Sequence, residues 1–223
     1  NLLENSQKNV LITGRAGTGK STLLDYFVNY TKKDAVVLAP TGVAAVNVQG
    51  ETIHSFFGFK PGITVDKIKK IYGPNSELYK AIDLIIIDEI SMVRADLLDC
   101  VDRFLRLNGR NKSKSFGGIQ MVFIGDLYQL PPVVKGNERE VFKTHYNSPY
   151  FFDAHVFKSF NVEFVELEKV YRQTDQKFIN LLNAIRNKSV TASDLQKLNK
   201  RLNPNFEPEP DHFYINLTTT NQL

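Results

Sequence analysis

The chain has 223 residues, 42% of them hydrophobic, and carries 28 Lys and Arg against 24 Asp and Glu, a formal net charge of +4. That length and composition admit one large domain, or a domain and the start of another, and exclude a disordered chain. No apolar run approaches the ~18 residues of a membrane span, and the single cysteine, Cys100, excludes an internal disulfide or a cysteine-based metal cluster. The small basic excess admits an anionic partner such as nucleic acid without requiring one. Asn1 in place of an initiating methionine, and the lack of a signal-peptide pattern, lead us to expect a piece of a longer protein that is intracellular rather than secreted.

Residues 9–13 (NVLIT) form a short apolar run of strand type, and residues 22–28 carry apolar positions at helical spacing. Between them stands Gly14-Arg15-Ala16-Gly17-Thr18-Gly19-Lys20-Ser21, a full match to G-x-x-x-x-G-K-[ST]. Strand, glycine loop and helix are the context that separates a phosphate-binding P-loop from a chance glycine-rich turn. The expected nucleotide-binding set is Gly14, Ala16, Gly17, Thr18, Gly19, Lys20, Ser21 and Thr22. The glycines open backbone N–H groups to phosphate at a helix N-terminus. Lys20 then reaches the β- and γ-phosphates, and the Ser21 hydroxyl ligates Mg2+.

Residues 35–39 (AVVLA) read as a second buried strand, followed by a turn and a short helix over 40–46. Aromatic and polar residues interleave over 52–59, and 60–80, richer in Lys, Gly and Pro, read as a partly helical excursion. Residues 84–87 (LIII) are a third strand, ending in Asp88-Glu89. Leu97, Leu98, Val101, Phe104 and Leu105 share one face of the next helix, with Cys100 packed beside it. After a basic loop at 108–118, residues 119–124 form a fourth strand that ends at Gly125-Asp126. The pattern loosens into loops and a short helix over 131–160, and a strand at 162–167 precedes Tyr171-Arg172-Gln173. Two helices follow, one lined by Phe178, Leu181, Leu182 and Ile185, the other by Leu195, Leu198 and Leu202 and opened by a capping box of Thr191 and Asp194. Pro204, Pro208 and Pro210 mark a linker, and 213–217 open a further strand. Strands alternating with helices predict an α/β fold with a parallel sheet and right-handed crossovers. Ligands bind such sheets beyond the carboxyl ends of the strands, where the P-loop, Thr41, Asp88-Glu89 and Asp126 all fall.

Hydrolysis of a phosphoanhydride needs one carboxylate to hold the metal and another to polarise water. Asp88 suits the metal, together with Ser21, and Glu89 suits the base; a solvated acidic turn is the alternative. Gln129 has the reach to sense a γ-phosphate and orient water, although Asp and Gln in turns are often only local hydrogen-bonders. Arg172 is either an arginine finger or a surface arginine. Thr41, His54, Phe56, Phe57 and Phe59 could line a path for single-stranded nucleic acid; phenylalanines of a globular chain more often serve the core, and a lone histidine is more often a satisfied polar residue than a ligand. Lys67, Lys69 and Lys70 read as a solvated face.

Taken in order, GRAGTGKS, APTGVAA (39–45), GETIHSFF (50–57), IIIDEISMV (85–93), GDLYQLPPV (125–133) and LEKVYRQTD (167–175) resemble the motifs of superfamily 1 helicases. The combination is most similar to the Pif-type and RecD-like superfamily 1B group of 5′-to-3′ DNA helicases, over residues 10 to about 175. The resemblance implies a RecA-like P-loop NTPase lobe over 1–203 with a small inserted wedge at about 59–81, then a linker and the start of a second lobe over 204–223. It implies ATP and Mg2+ as cofactors, with Lys20, Asp88, Glu89, Gln129 and Arg172 as the catalytic set. It also implies single-stranded DNA and duplex junctions as partners, met by Thr41, His54 and Phe56, in repair, recombination or genome maintenance. A monomer is expected, in the cytoplasm or in a nucleus or organelle. Gln7 stands too close to Gly14 to be the family's adenine-reading glutamine, and later motifs lie beyond Leu223, so the isolated chain is expected to keep a nucleotide pocket without unwinding duplex DNA. A nucleotide-gated switch and a small-molecule P-loop kinase are the rival readings; Glu89 and Gln129 argue against the kinase.

Overall fold

A computed structural model of the chain describes residues 2–73, 76–171, 173, 175–215, 217 and 218, with the backbone alone of Asn137 and Val141. The chain divides into two compact units, Asn1–Thr174 and Asp175–Leu223, ahead of the boundary near 203 read from the prolines.

In the first unit β1 (Asn9–Gly14), β2 (Ala35–Ala39), β3 (Glu51–Thr52), β4 (Leu84–Ile87), β5 (Gln120–Gly125) and β6 (Val162–Leu167) form one sheet. Its order is β3-β2-β4-β5-β1-β6, and every pair is parallel. Around it run α1 (Leu2–Asn5), α2 (Lys20–Tyr30), α3 (Gly42–Asn47), α4 (Ile53–Phe57), α5 (Leu78–Ala81), α6 (Ala95–Asn108) and α7 (Arg139–His145). The central strands β4 and β5 are buried along their whole length, as the unbroken apolar runs require of strands covered on both faces. Successive side chains point to opposite faces. Ile85, Ile87, Met121 and Phe123 therefore join Leu98, Val101, Phe104 and Leu105 of α6 in one core, while Leu84, Ile86, Val122 and Ile124 join Val10, Ile12 and Leu24 in the other. The edge strand β6 mixes half-buried and exposed positions and leaves Glu163 and Glu166 exposed, which discourages further pairing.

α6 buries the predicted face, with Cys100 packed beside it. Burial pushes the Cys100 thiol up to about 12, so it is a packing residue and not a nucleophile. Asp99 on the same helix is also buried, and its carboxylate accepts hydrogen bonds from Tyr146 Oη (2.9 Å), His155 N (2.9 Å) and Val156 N (3.0 Å). Those three donors offset its desolvation and tie the loose 146–156 segment to α6.

The excursion after α4 packs down onto α6. Phe59, Ile68 and Tyr79 are buried. Asn108 Oδ1 accepts the Ile71 N–H at 2.7 Å while its amide donates to Phe104 O at 3.0 Å. Phe57 and Phe59 stack at 5.3 Å and meet Phe104 edge-on. Both rings belong to the core, the commoner of the two roles open to them from the sequence.

The second unit holds α8 (Gln176–Arg186) and α9 (Ala192–Asn199). Asp175 caps α8 by accepting from Lys177 N and Phe178 N. The capping box before α9 forms as the sequence predicts: Thr191 Oγ1 accepts from Asp194 N at 3.2 Å, and Asp194 Oδ2 from Thr191 N at 3.1 Å. Neither helix buries a residue fully. Residues 213–215, expected to begin a strand, have no regular structure, and most of 216–223 lies outside the described residues. Among the described residues no helix is long and apolar enough to cross a membrane.

Candidate nucleotide site and nucleic-acid face

β1 runs directly into the P-loop. At Gly14 a Cβ would lie 2.6 Å from Leu167 O and 2.7 Å from Thr18 Oγ1, so the close approach of the loop to β6 admits only glycine. Gly19, with φ 87° and ψ 20°, caps α2 from the left-handed region that favours glycine. Thr18 Oγ1 donates to Arg15 O at 2.9 Å and closes the loop on itself. The Lys20 ammonium folds back over the loop, donating to Gly14 O at 2.8 Å and Arg15 O at 3.1 Å. Ala16, Ser21 and Thr22 are exposed along its rim.

The neighbouring strands β5 and β4 bring the other groups to the same edge. Asp88 is buried just past β4, anchored by its N–H on Leu38 O at 2.8 Å. Burial raises its carboxyl above the usual range, and the Lys20 charge works against that rise. Burial also raises Glu89, and the negative charges of Asp88 and Asp126 add to it while Lys20 opposes. Lys20 therefore lies within electrostatic reach of both carboxylates, and Glu89 within reach of Asp126. Gln129 is held there: its Nε2 donates to Asp126 Oδ2 at 3.3 Å and its N–H to Asp126 O at 3.0 Å. Asp126, 2% exposed, stands outside the predicted catalytic set but is the carboxylate on which Gln129 rests. Its position at a strand end and its place within GDLYQLPPV were the signals in the sequence, whereas its hold on Gln129 depends on the turn geometry.

Among the described residues no cluster of three or more His, Cys, Asp or Glu could hold a metal. The Ser21 hydroxyl and the Asp88 carboxylate offer oxygen ligands only. Such a sparse, hard donor set fits Mg2+, which takes one or two protein oxygens and completes its shell with phosphate and water.

Arg172 lies outside the described residues. Its neighbour Tyr171 donates its N–H to Gly17 O at 2.7 Å, so the segment after β6 is tied to the P-loop backbone. Lys169 Nζ lies 5.0 Å from the Tyr171 ring centre.

Thr41 and His54 stand after the neighbouring strands β2 and β3, on the side of the sheet away from β6. Thr41 caps α3, its Oγ1 accepting from Ala44 N at 3.2 Å, and Val43 and Val46 stand exposed on that helix. His54 is half-buried, and burial lowers its pKa. Phe56 is also half-buried, edge-on to Phe57 and Tyr79 at 4.9 and 5.7 Å, so part of its ring is committed to the core.

A six-stranded parallel sheet with a P-loop after β1 and acidic groups after β4 and β5 is the architecture of a RecA-like P-loop NTPase. A family model described as PIF1-like helicase matches residues 1–196. ATP-dependent DNA helicase RRM3 of Saccharomyces cerevisiae is 38% identical over 216 residues, covering 93% of this chain and 29% of that protein. A Pif1 helicase from Bacteroides, solved in complex with ADP-AlF3 and ssDNA, is similar with a TM-score of 0.86 and 43% identity over 94% of this chain and 49% of that one. A structure on DNA unwinding at forked dsDNA by two coordinating Pif1 helicases gives 0.84 and 46% over 90% of this chain and 49% of that one. The chain belongs to the PIF1-like helicase family. It spans about half the length of these solved relatives and less than a third of RRM3.

Proposed function

We propose that this chain is the first RecA-like motor lobe of an ATP- and Mg2+-dependent DNA helicase, spanning 1–203 with an inserted wedge at about 59–81, and that 204–223 link it to a second lobe. The observation that carries the reading is the meeting of Lys20, Asp88, Glu89 and an Asp126-held Gln129 at the adjacent ends of β1, β4 and β5. Lys20, whose ammonium already rests on two loop carbonyls, transfers its hydrogen bonds to the β- and γ-phosphate oxygens. Ser21 and Asp88 would hold Mg2+, which neutralises charge on those oxygens when bound. Glu89 accepts the proton of the attacking water, the Gln129 amide orients that water, and Arg172 serves as an arginine finger. In this reading Thr41, His54 and Phe56 meet single-stranded DNA, in keeping with the ssDNA bound by a relative, and the motor moves 5′ to 3′ as a monomer.

The test is ATP hydrolysis by the full-length protein with and without single-stranded DNA. Strong stimulation that vanishes in Lys20→Ala is expected. Hydrolysis indifferent to every polynucleotide, or phosphate transfer to a small metabolite, would overturn the reading.

A further inference from the structure

The turn that carries Glu89 and the loop that carries Gln129 meet in two places. Close to the site, Gly125 lies against the turn: a Cβ there would sit 3.1 Å from Ile90 N and 3.3 Å from Ser91 N. At the far end Arg94 spans the two segments. Its Nε and Nη2 form a fork on the Asp96 carboxylate at 2.9 and 2.7 Å, while Nη1 reaches Glu138 Oε2 at 2.8 Å. That same Glu138 oxygen accepts the Lys135 N–H at 3.1 Å, and the guanidinium carbon lies 5.3 Å from the Phe142 ring centre.

A 3-10 turn, Ile90–Met92, and Val93 separate Glu89 from this arginine, and Ile90, Ser91 and Val93 are buried, so the link from Arg94 to the proposed base is short and packed. The loop that Arg94 grips is held inward at intervals: its first residues are pinned through Asp126, Leu127 and Val134 pack against the core, and Pro132 is buried, while Leu130 and Val133 are exposed. Arg94 adds a charged anchor at the far end, beyond the last of these apolar contacts. A guanidinium suits the far anchor because its planar fork fixes direction as well as charge.

We propose that Arg94, through Glu138, is a positioning residue that fixes the Gln129 loop against the Glu89 turn during ATP hydrolysis. The proposal rests on reading the site as that of an ATPase motor. Arg94 and Glu138 stand outside the P-loop, so their effect reaches turnover through the relative placement of Gln129 and Glu89 and leaves nucleotide binding alone.

The experiment compares Arg94→Met, Arg94→Lys, Glu138→Gln and the Arg94→Met/Glu138→Gln double variant in the full-length protein. Steady-state ATP hydrolysis is measured at saturating single-stranded DNA, with thermal melting in parallel and Lys20→Ala as the inactive reference. Arg94→Met and Glu138→Gln are each expected to lower kcat about tenfold and to leave KM for ATP within about twofold. The double variant should lose no more than Arg94→Met alone, and Arg94→Lys, which keeps the charge without the fork, should fall between. Should Arg94→Met fail to fold, the near-isosteric Glu138→Gln carries the test. Wild-type turnover in Glu138→Gln, additive losses in the double variant, or a rise in KM matching the fall in kcat would each overturn the proposal. A wild-type protein that hydrolyses no ATP would overturn the motor reading itself, an outcome distinct from an active enzyme indifferent to Glu138.

Discussion

Glu89 adopts φ 48° and ψ 42°, a left-handed conformation that a residue with a side chain holds at a cost of roughly 1–3 kcal/mol. The surrounding turn over-determines it: Met92 N donates to Glu89 O at 3.0 Å, and Ile90 packs on Gly125. Glu89→Gln preserves size and backbone while removing the base. It is expected to bind nucleotide as the wild type does and to lower kcat by about 10²–10⁴; a nucleotide titration beside a turnover assay checks both halves. His54 gives a pH-dependent expectation. Its folded pKa is depressed by burial, so the unfolded chain binds the proton more readily and the imidazole disfavours the fold once protonated. Stability is therefore greatest above the unfolded value of about 6.5 and declines as pH falls through the lower folded value. His54→Asn should shrink the loss of melting temperature between about pH 7.5 and about pH 5, which bracket the histidine range.

Among the elements, α6 organises most of what surrounds the site. Its apolar face anchors one core, Asp99 gathers the 146–156 segment, and Asn108 clamps the excursion at Ile71. Asn108 is 3% exposed, so Asn108→Ala leaves the Ile71 N–H without its side-chain acceptor in a place poorly reached by water. The expected cost is about 1–3 kcal/mol, read as a lower melting temperature with faster hydrogen exchange at Ile71. Equal protection of Ile71 in variant and wild type would show that the clamp holds nothing. The helical period exposed the apolar face of α6 in the sequence. The roles of Asp99 and Asn108 were not legible there, because their partners are 47 to 57 and 37 residues away along the chain.

For the molecule as a whole, both cores are assembled from residues of the first unit. α8 and α9 bury no residue fully. Hydrophobic burial is the main stabilising term in a domain, so a chain ending at residue 174 is expected to keep one cooperative unfolding transition within a few degrees of the full 223 residues, at roughly 2–4 °C per kcal/mol lost. Calorimetry on both lengths measures this. A non-cooperative transition in the shorter chain would mean that the second unit is integral to the first.

The P-loop, the strands at 9–13, 35–39, 84–87 and 162–167, the face of α6 and the α9 capping box are all legible in the amino-acid sequence, because each is a local pattern. Burial on both faces makes an unbroken apolar strand, burial on one face makes a helical stripe, and phosphate binding demands its glycines in sequence. β3 escapes such a reading because two residues carry no period; it exists because Gly50 lets the chain pass close against the backbone of Val37. By residue type Phe57 and Phe59 suit the core more often than base stacking without excluding it, and the packing of Phe104 and Tyr79 around them decides between the two. The strand order, the hold of Asp126 on Gln129 and the bridge from Arg94 to Glu138 are decided only in three dimensions. Each joins groups brought together by parallel pairing or by a turn, and such contacts depend on where distant segments dock rather than on what any one segment contains.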